Sequence, residues 1–357
     1  MNSQALPSFT IAGRRVGTDA PPFVVAEMSG NHNHSLVRAL ELVDAAANAG
    51  AHALKIQTYT AATMTLNLNS TGFVIHDENS LWNGRTLYDL YEEAHLPWEW
   101  HEAIFKRCHQ HGMIGFSTPF DESAIAFLET LNVPCYKVAS FENTDLPLLK
   151  KIAATKKTVL VSTGMANSDE VRECVQTLRD HGCPHIVLLK CTSTYPASPQ
   201  NSNIVTLPHL RDSFGCHVGL SDHTPGIGVA VASVAFGAAV IEKHFTLNRA
   251  DGGVDAAFSL EPRELKDLVT EVERAWQGLG TVQYGASTSE KASLAFRRSL
   301  YIVKDMVAGE KLTPENLRAI RPGFGLAPRH YEEVIGKTLT QAAQMGTPLT
   351  WSLIGKS

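Results

Sequence analysis

The sequence predicts an α/β fold, a (β/α)8 TIM barrel, followed by a small C-terminal domain. Eight short apolar segments alternate with amphipathic helical segments between residues 23 and 280. A repeat of strand and helix gives parallel strands joined by crossover helices, and eight repeats favour a closed barrel over an open sheet. Beyond residue 285 the alternation stops, and short strand-like segments between turns predict a separate small domain.

The predicted barrel strands are runs of mostly aliphatic residues, at 23–27, 53–57, 113–118, 135–140, 158–163, 186–191, 217–222 and 240–245. The predicted helices have apolar residues at helical spacing, at 35–48, 98–110, 122–131, 146–154, 168–180, 204–213, 227–236 and 261–278. Helix starts carry capping residues, as at Asn167, which precedes Ser168 and two acidic side chains. Strand and helix therefore alternate in the order that the barrel requires.

Three other segments complete the predicted organisation. Residues 9–17 (FTIAGRRVG) indicate a short hairpin that covers the amino-terminal end of the barrel. Residues 58–96 form one long insertion after the second strand, where a loop would serve as a lid or wall for a substrate. We expect a barrel domain at 1–285 that includes the hairpin, a linker at 286–297 and a small domain at 298–357.

Composition excludes several function classes. The 357 residues are 44% hydrophobic, with 31 Lys and Arg against 36 Asp and Glu, so the basic excess of a nucleic-acid-binding protein is absent. No run of about 18 apolar residues predicts a membrane span, and the N-terminus has no apolar signal-peptide core. Six cysteines without a CxxC pair predict buried, reduced thiols and a cytoplasmic protein.

Ionisable side chains interrupt the predicted strands close to their carboxyl ends. Lys55 and Lys137 each lie within an apolar strand, where a charge is costly unless it is paired or bound to a ligand. Two such lysines, together with hydroxyl groups at the same end of the barrel, predict a site for a phosphate or carboxylate. The alternative for each lysine is a salt bridge to a neighbouring carboxylate.

Two histidines end the last two predicted strands. His223 and His244 should therefore be adjacent in space, and two imidazoles from neighbouring strand ends make half of a divalent-metal site. Because no cysteine accompanies them, an open site that water or substrate completes fits better than a structural zinc site. The alternative is that these histidines only form hydrogen bonds in the core.

Seven motifs together resemble the sialic acid synthase family, whose members condense phosphoenolpyruvate with an amino-sugar aldehyde. In order, they are AEMSGNHN (26–33), LKIQT (54–58), FSTPF (116–120), YKVAS (136–140), STGM (162–165), GLSDHT (219–224) and EKHF (242–245). The C-terminal segment, with Arg321, Pro322 and Gly323, resembles the antifreeze-like (SAF, β-clip) domain that follows the barrel in this family.

The resemblance implies a role for each matching residue. Phosphoenolpyruvate would be held by Lys55, Thr118, Lys137, Ser140, Ser162 and Ser221. The open-chain amino sugar would be held by Glu27, Gln57, Ser193, Tyr195 and Asp255. His223 and His244 would bind a divalent metal, with manganese favoured over magnesium or cobalt, and Glu142 would lie near the reacting carbons. Either Glu27 or Glu142 could stabilise the cationic centre or move protons. Arg321 would reach the barrel of the partner in a homodimer that places each SAF domain over its partner's barrel.

Within the family, three segments resemble most the branch that makes pseudaminic acid: EMSGNHN, LKIQTYT and LWNGRTLYDLYEEAHLPWEWH. Lys190 and Ser193 depart from the motif of the N-acetylneuraminate branch. We therefore expect the sugar to be 2,4-diacetamido-2,4,6-trideoxy-L-altrose and phosphate to leave by C–O cleavage. N-acetylneuraminate and legionaminate synthesis remain alternatives, and a more distant one is an aldolase with Lys55 or Lys137 as a Schiff base.

Overall fold

A computed structural model describes residues 6–78 and 80–355 of the chain. Two compact units divide it, Met1–Gly280 and Thr281–Ser357. A short antiparallel hairpin comes first, with β1 (Phe9–Ile11) and β2 (Arg14–Val16) paired in the register Phe9 to Val16. Gly13 lies in the tight turn with a φ of 84°, which a residue with a side chain adopts less readily. The predicted hairpin is therefore confirmed.

Eight parallel strands close into a barrel in chain order, and the last pairs with the first. The closing register pairs Val240 with Phe23 and His244 with Glu27. The strands are β3 (Phe23–Glu27), β4 (Ala53–Thr58), β5 (Ile114–Pro119), β6 (Cys135–Val138), β7 (Thr158–Ser162), β8 (Ile186–Cys191), β9 (His217–Asp222) and β10 (Ala238–His244). The predicted fold class is confirmed.

The helices cover the outside of the barrel. They are α1 (Leu36–Asn48), α2 (Ala61–Met64), α3 (Leu87–Ala94), α4 (His101–Gln110), α5 (Glu122–Thr130), α6 (Leu146–Ala154), α7 (Ser168–Asp180), α8 (Thr206–Phe214), α9 (Gly228–Ser233) and α10 (Pro262–Leu279). Asn167 caps α7 as predicted, since its side chain accepts hydrogen bonds from the N–H groups of Asp169 and Glu170. The insertion after β4 contains α2 and α3.

Several predicted elements differ from the structure at their ends. The predicted strand 135–140 stops at Val138, and Ser140–Glu142 is a 3-10 turn instead. The predicted helix 98–110 begins as a separate 3-10 turn at Trp98–Trp100. The last strand begins at Ala238, two residues early, because an irregular pairing with β9 accommodates Ala238 and Ala239 before the register settles at Val240.

The barrel has an apolar layer on each side of its strands. Alternate residues of β3 to β10 point outward and pack against the helices. The residues between them fill the amino-terminal part of the barrel, together with the hairpin; this inner cluster includes Phe9, Ile11, Val16, Phe23, Val25, Ala53, Phe116, Cys135, Leu160, Val187, Leu189 and Val240. The hairpin therefore closes the amino-terminal end of the barrel, as the sequence predicts.

The C-terminal unit has its own small core. It begins with a 3-10 helix, Thr288–Phe296, and contains the antiparallel pair β11 (Ser299–Ile302) and β12 (Leu317–Ile320) and the one-turn helix α11 (Tyr331–Val334). Leu300, Ile302, Leu312, Leu317 and Leu349 are buried in this core. In residues 6–78 and 80–355, none of the helices is long and apolar enough to cross a membrane.

Candidate active site

Side-chain alternation along the strands places ionisable groups inside the carboxyl-terminal half of the barrel. Val25 belongs to the inner apolar cluster, and Glu27, two residues later on β3, points the same way. On β10, Val240 is followed at the same spacing by Glu242 and His244. The interior therefore changes from apolar to charged along the barrel, and the charged end is where barrel enzymes bind substrate.

The two predicted lysines lie in this interior and are almost completely buried. Lys55 Nζ is 2.7 Å from Glu27 Oε2 and donates to Thr118 Oγ1 at 3.1 Å. Lys137 Nζ donates to Ser162 Oγ at 2.7 Å. The structure thus brings together two cations, a carboxylate and two hydroxyl groups from five different strands.

Glu242 joins the two lysines and was not among the predicted site residues. Its Oε1 atom is 4.0 Å from Lys55 Nζ and 3.7 Å from Lys137 Nζ, and it accepts a hydrogen bond from Ser221 Oγ at 3.0 Å. The sequence pattern that identifies Glu242 is its spacing of two from His244 at the end of a strand that begins with apolar residues. Such a residue must face the same interior as the histidine.

The pKa values of the Glu27 and Glu242 carboxyl groups shift in opposite directions. Burial raises the pKa of Glu27, although Lys55 opposes this effect. Burial would also raise the pKa of Glu242, but the positive charges of Lys137 and Lys55 outweigh it and lower this pKa. Burial lowers the pKa of Lys137, despite the attraction of Glu242. The positive charges of both lysines are therefore already compensated by internal carboxylates before a phosphate or carboxylate binds.

Glu142 stands apart from these pairs. It follows β6 in the 3-10 turn, and its Oε2 atom is buried without a hydrogen-bond partner among the residues described. Burial raises the pKa of Glu142 to about 7, with Lys137 opposing and Asp145 reinforcing the shift. A carboxyl group that titrates near neutrality and has a free oxygen is suited to proton transfer.

His223 and His244 lie side by side, as predicted. Their ring centroids are 5.2 Å apart. His223 Nδ1 is 3.1 Å from the carbonyl oxygen of Thr192, and His244 Nδ1 is 3.6 Å from Asp255 Oδ2. Burial and the nearby charge of His223 lower the pKa of His244 well below its usual value. Burial would also lower the pKa of His223, but its contact with Cys191 outweighs this effect and raises that pKa.

The histidine pair fits two ligands of an open metal site. His244 Nδ1 is buried and lacks a hydrogen-bond partner within the described part of the chain, although Asp255 faces it. Across residues 6–78 and 80–355, no group of three or more His, Cys, Asp or Glu side chains is arranged to hold a metal. A metal bound by His223 and His244 would therefore need water or substrate oxygens to complete its coordination.

Predicted sugar-binding residues surround this pair. Gln57 Nε2 donates to Glu27 Oε1 at 2.9 Å and to Ser29 Oγ at 3.1 Å, and Ser29 is in turn hydrogen-bonded to Asp255. The ring of Tyr195 lies 4.5 Å from that of His223 between centroids. These residues form a continuous polar wall with an aromatic face.

Two aromatic residues that the prediction did not include complete this wall. Trp82, from the insertion, lies with its ring centroid 5.9 Å from that of Tyr195, and its Nε1 donates to the carbonyl of Val254 at 3.2 Å. Phe258 packs against His244, with centroids 4.9 Å apart. The insertion therefore contributes directly to the site, as its position after β4 predicts.

Three predicted residues remain, two serines of the barrel unit and one arginine of the C-terminal unit. Ser140 Oγ accepts a hydrogen bond from the N–H of Gly164 at 3.2 Å, and Ser193 Oγ is 3.9 Å from Cys191 Sγ. Both serines line the turn after β7. Arg321 follows β12 in the C-terminal unit, where it is exposed.

Comparison with known proteins identifies relatives along nearly the whole chain. A model of the NeuB family matches residues 42–284, and one of the SAF domain matches residues 297–355. A pseudaminic acid synthase from Campylobacter jejuni subsp. jejuni serotype O:2 is 40% identical over 332 residues, 93% of this chain and 96% of that protein. A pseudaminic acid synthase from Helicobacter pylori is 38% identical over 339 residues, 94% of this chain and 99% of that protein.

Other relatives carry related names. An N,N'-diacetyllegionaminic acid synthase from Legionella pneumophila is 37% identical over 344 residues, 95% of this chain and 96% of that protein. The crystal structure of an N-acetylneuraminic acid synthetase from Leptospira borgpetersenii is similar with a TM-score of 0.72 and 30% identity, covering 81% of this chain and 96% of that one.

Proposed function

The chain belongs to the NeuB family, and we propose that it catalyses the pseudaminic acid synthase reaction. Phosphoenolpyruvate would condense with 2,4-diacetamido-2,4,6-trideoxy-L-altrose and release phosphate. The relatives named pseudaminic acid synthase, at 38–40% identity over more than nine-tenths of the chain, support this choice of sugar. The observation that carries the chemistry is the pair of buried lysines beside a pair of buried histidines at the carboxyl ends of the barrel strands.

Phosphoenolpyruvate carries a phosphate and a carboxylate, and the interior offers a cation to each. Lys55 with Thr118 would hold one group, and Lys137 with Ser162 the other. Ser221 and Ser140 would add hydroxyl donors at the edges. Because Glu242 lies between the lysines, the arriving anion would raise the pKa of this carboxyl group, and proton uptake would accompany binding.

The reaction forms one C–C bond and one C–O bond to the oxygen of water, and it breaks the C–O bond to phosphate. The enol carbon C3 of phosphoenolpyruvate attacks the aldehyde carbon, whose oxygen takes up a proton and becomes a hydroxyl group. Water adds at C2 and loses a proton to give a tetrahedral intermediate. The new C2 hydroxyl group then gives up its proton and becomes the ketone oxygen as phosphate leaves with its bridging oxygen. Glu142 is suited to move these protons because it has a free buried oxygen and a pKa of about 7. Glu27 is already bonded to Lys55 and Gln57, which suits it to orient the sugar.

We also propose that His223 and His244 hold a divalent metal, with Mn²⁺ favoured. When bound, such an ion polarises a carbonyl oxygen as a Lewis acid. We expect manganese to bind the full-length protein with a stoichiometry near one, measured by electron paramagnetic resonance. The His223→Ala/His244→Ala variant should lose this binding, whereas His209→Ala, an exposed histidine on α8, should keep it. Retained manganese binding in the double variant contradicts the assignment.

The assembly and location are part of the same proposal. A homodimer would place Arg321 of each C-terminal unit over the partner's barrel, where it would contact the sugar. Six free, buried cysteines fit the reducing cytoplasm in which we place the reaction.

Phosphate release from phosphoenolpyruvate with a panel of hexoses tests the proposed reaction. We expect 2,4-diacetamido-2,4,6-trideoxy-L-altrose to give the highest kcat/KM, ahead of the amino sugars that lead to legionaminate and neuraminate. With ¹⁸O in the bridging position, the label should appear in phosphate. Faster turnover of another amino sugar would reassign the substrate within the family. Borohydride trapping of a lysine adduct would instead favour the Schiff-base aldolase.

A further inference from the structure

A second group of polar side chains lies at the amino-terminal end of the barrel, opposite the candidate active site. Arg14 on β2, His52 immediately before β4 and Glu273 on α10 line a pocket of about 520 Å³. Arg15, Ala20, Pro21, Pro22, Val269 and Val272 complete its walls. None of these residues takes part in the proposed reaction.

The hydrogen bonds of His52 fix where its ring proton lies. The backbone N–H of Val24 donates to His52 Nδ1 at 2.9 Å, so this nitrogen is an acceptor. Burial, reinforced by the charge of Arg14, lowers the pKa of His52 to about 3, and the ring is therefore neutral near pH 7. A neutral imidazole carries one N–H, which here must be on Nε2.

Arg14 also directs a hydrogen-bond donor at the Nε2–H group of His52. Its Nη2 atom is 2.9 Å from His52 Nε2, although a guanidinium group can only donate. Its Nε atom is buried without a hydrogen-bond partner in the described part of the chain. Arg14 Nη2 and His52 Nε2 therefore face each other as two donors with no acceptor between them, and Arg14 Nε–H is a further donor without a partner in the described part of the chain. A buried donor without an acceptor destabilises the folded protein, so an acceptor at this place is favoured.

We propose that this pocket binds a small oxyanion, the carboxylate or phosphate group of a metabolite, between Arg14 and His52. The oxygen atoms of such a group can accept from the guanidinium group and from the imidazole N–H at once, which satisfies the two facing donors. Arg15 is not the anchor, because its guanidinium already binds Asp19 and Ser8. This site is separate from the phosphoenolpyruvate site, since His52 and Lys55 lie toward opposite ends of the same barrel wall.

Glu273 sets the strength of this binding. Its carboxylate lines the same pocket and its charge raises the pKa of Arg14, against the larger effect of burial, which lowers that pKa. A negative charge at this place also repels an incoming anion. We therefore expect modest affinity in the natural protein and tighter binding when Glu273 is neutral.

Nuclear magnetic resonance of the full-length chain with ¹⁵N-labelled histidine tests the proposal. Long-range proton–nitrogen spectra first report whether the His52 proton is on Nε2, as the structure requires. Inorganic phosphate and acetate are then titrated separately, in a Lys137→Met background that weakens anion binding at the active site. A saturable shift of the His52 Nε2 resonance with either probe supports the site. A shift with phosphate alone assigns it to phosphate groups, and one with acetate alone to carboxylates.

Variants separate a built site from a general ionic effect. Arg14→Gln should raise the Kd at least about tenfold, the loss expected for a charge-assisted pair. Arg15→Gln, its neighbour on β2, should change the Kd less than about twofold because it removes an equal charge that is already paired. Glu273→Gln should lower the Kd. Three results would each overturn the proposal. The His52 resonance could fail to shift with either anion, the ring proton could be on Nδ1, or the Kd could change equally in Arg14→Gln and Arg15→Gln.

Discussion

Lys137 is the residue at which the proposed phosphoenolpyruvate site can be tested most directly. Its ammonium group is buried, donates to Ser162 and lies 3.7 Å from Glu242. Lys137→Met removes one charge-assisted contact to the substrate, worth about 1.5–3 kcal/mol. We expect the apparent KM for phosphoenolpyruvate to rise at least about tenfold, measured by phosphate release under saturating sugar.

The control for this substitution is Lys151→Met. Lys151 lies on α6 with its side chain 56% exposed and pairs with Glu122 at the surface. The Lys151→Met substitution should leave the KM for phosphoenolpyruvate unchanged. This control separates the loss of a contact in the site from the loss of any lysine. Circular dichroism of both variants checks the fold. An unchanged KM in a folded Lys137→Met protein would remove this lysine from the substrate site.

Glu142 should make stability depend on pH in a direction opposite to that of most carboxylates. Burial raises its pKa in the folded protein from 4.5 to about 7. Between these values the folded state keeps a proton that the unfolded chain releases, so the contribution of Glu142 to stability falls as pH rises. The Glu142→Gln variant lacks this dependence. Relative to the natural protein, it should gain up to about 3 kcal/mol in unfolding free energy between about pH 4.5 and pH 8.

Chemical denaturation at several pH values measures this difference. Glu122→Gln is the control, because Glu122 is an exposed carboxylate, and it should change stability by less than about 0.5 kcal/mol throughout. If Glu142 also moves protons in the reaction, Glu142→Gln should flatten the pH dependence of kcat near neutrality. An identical pH profile of stability in Glu142→Gln and the natural protein would contradict the raised pKa.

The predicted residues that the structure places inside the barrel share one property: each lies within or directly after a recognisable strand. Lys55 and Lys137 are conspicuous because each is a charge within an apolar run, and the structure places both inside the barrel. Glu242 could have been predicted from its alternation with His244, but its contacts with both lysines depend on the closure of the barrel. The contact of Trp82 with Tyr195 depends on how a long insertion folds, which short-range periodicity does not determine.

The loop after β9 is fixed by a buried lysine outside the proposed reaction. Lys243 Nζ donates to Asp222 Oδ2 at 3.0 Å and to the carbonyl oxygens of Thr224 and Gly226 at 2.5 and 2.9 Å. Both side chains of the ion pair are at most 2% exposed. Because these contacts bracket His223, we infer that Lys243 is a positioning residue for the proposed metal ligand.

Lys243→Met should destabilise the barrel unit by about 3–5 kcal/mol, because it leaves the carboxylate of Asp222 buried without its cation. Asp222→Asn/Lys243→Met should recover part of this loss, since no charge remains unpaired. Thermal unfolding measures both effects. Manganese affinity measured on the folded double variant should still be reduced, because the carbonyl contacts that hold the loop are missing. Unaltered manganese affinity would limit Lys243 to a structural role.

The turn after β7 has room for glycine only. A Cβ atom on Gly164 would lie 2.2 Å from Ser193 Oγ and 2.6 Å from Ser140 Oγ. Gly164→Ala should therefore displace both serines and cost about 1–3 kcal/mol of stability. Gly228→Ala is the matched control, since a Cβ there meets no atom within 4 Å and the position begins α9. Thermal unfolding should show a loss for the first variant and none for the second.

Ser193→Gly provides a rescue of the same turn. The Gly164→Ala/Ser193→Gly protein should regain part of the lost stability, because the nearest clashing oxygen is removed. Equal stability of Gly164→Ala and Gly228→Ala would show that the serines move without cost.

Prediction at the level of elements worked where a local pattern determines the structure. The first residues of α6 and α7 follow from the N-terminal capping residues Asp145 and Asn167. Their side chains accept hydrogen bonds from backbone N–H groups in the first turn of each helix. The end of β6 was wrong because residues 139 and 140 remain apolar or small, while the chain already turns to bring Ser140 to Gly164. A tertiary contact of this kind produces no periodic pattern in the sequence.

At the scale of the whole molecule, the two ends of the barrel differ in how their charged groups are paired. The carboxyl-terminal end holds lysines balanced by internal carboxylates, whereas the amino-terminal end holds Arg14 against a neutral histidine. The inner apolar cluster, which includes Phe9, Ile11 and Val16 of the hairpin, lies between them. Strand β4 follows His52 directly and carries Lys55, so one strand connects the two groups.

The proposed homodimer makes a prediction about Arg321 that depends on two chains. An exposed arginine in the C-terminal unit has a fork of donors that can hold a sugar oxygen or carbonyl bidentately, which a lysine cannot reproduce. Arg321→Ala should therefore lose sugar turnover while phosphoenolpyruvate binding, measured by calorimetry, is retained. Arg318→Ala is the control, because Arg318 is an exposed arginine on β12 only three positions earlier, and it should retain activity.

Mixing the Arg321→Ala and His223→Ala proteins distinguishes a shared site from one within a single chain. In a mixed dimer, the barrel of the Arg321→Ala chain keeps His223 and would receive Arg321 from the His223→Ala chain. One complete site is thereby restored, and we expect activity in mixed dimers although each variant alone is inactive. If each Arg321 served its own barrel, every site in the mixture would lack either the arginine or the histidine. Verified mixed dimers without activity would therefore place Arg321 in the site of its own chain, and full activity of Arg321→Ala alone would exclude it from the site.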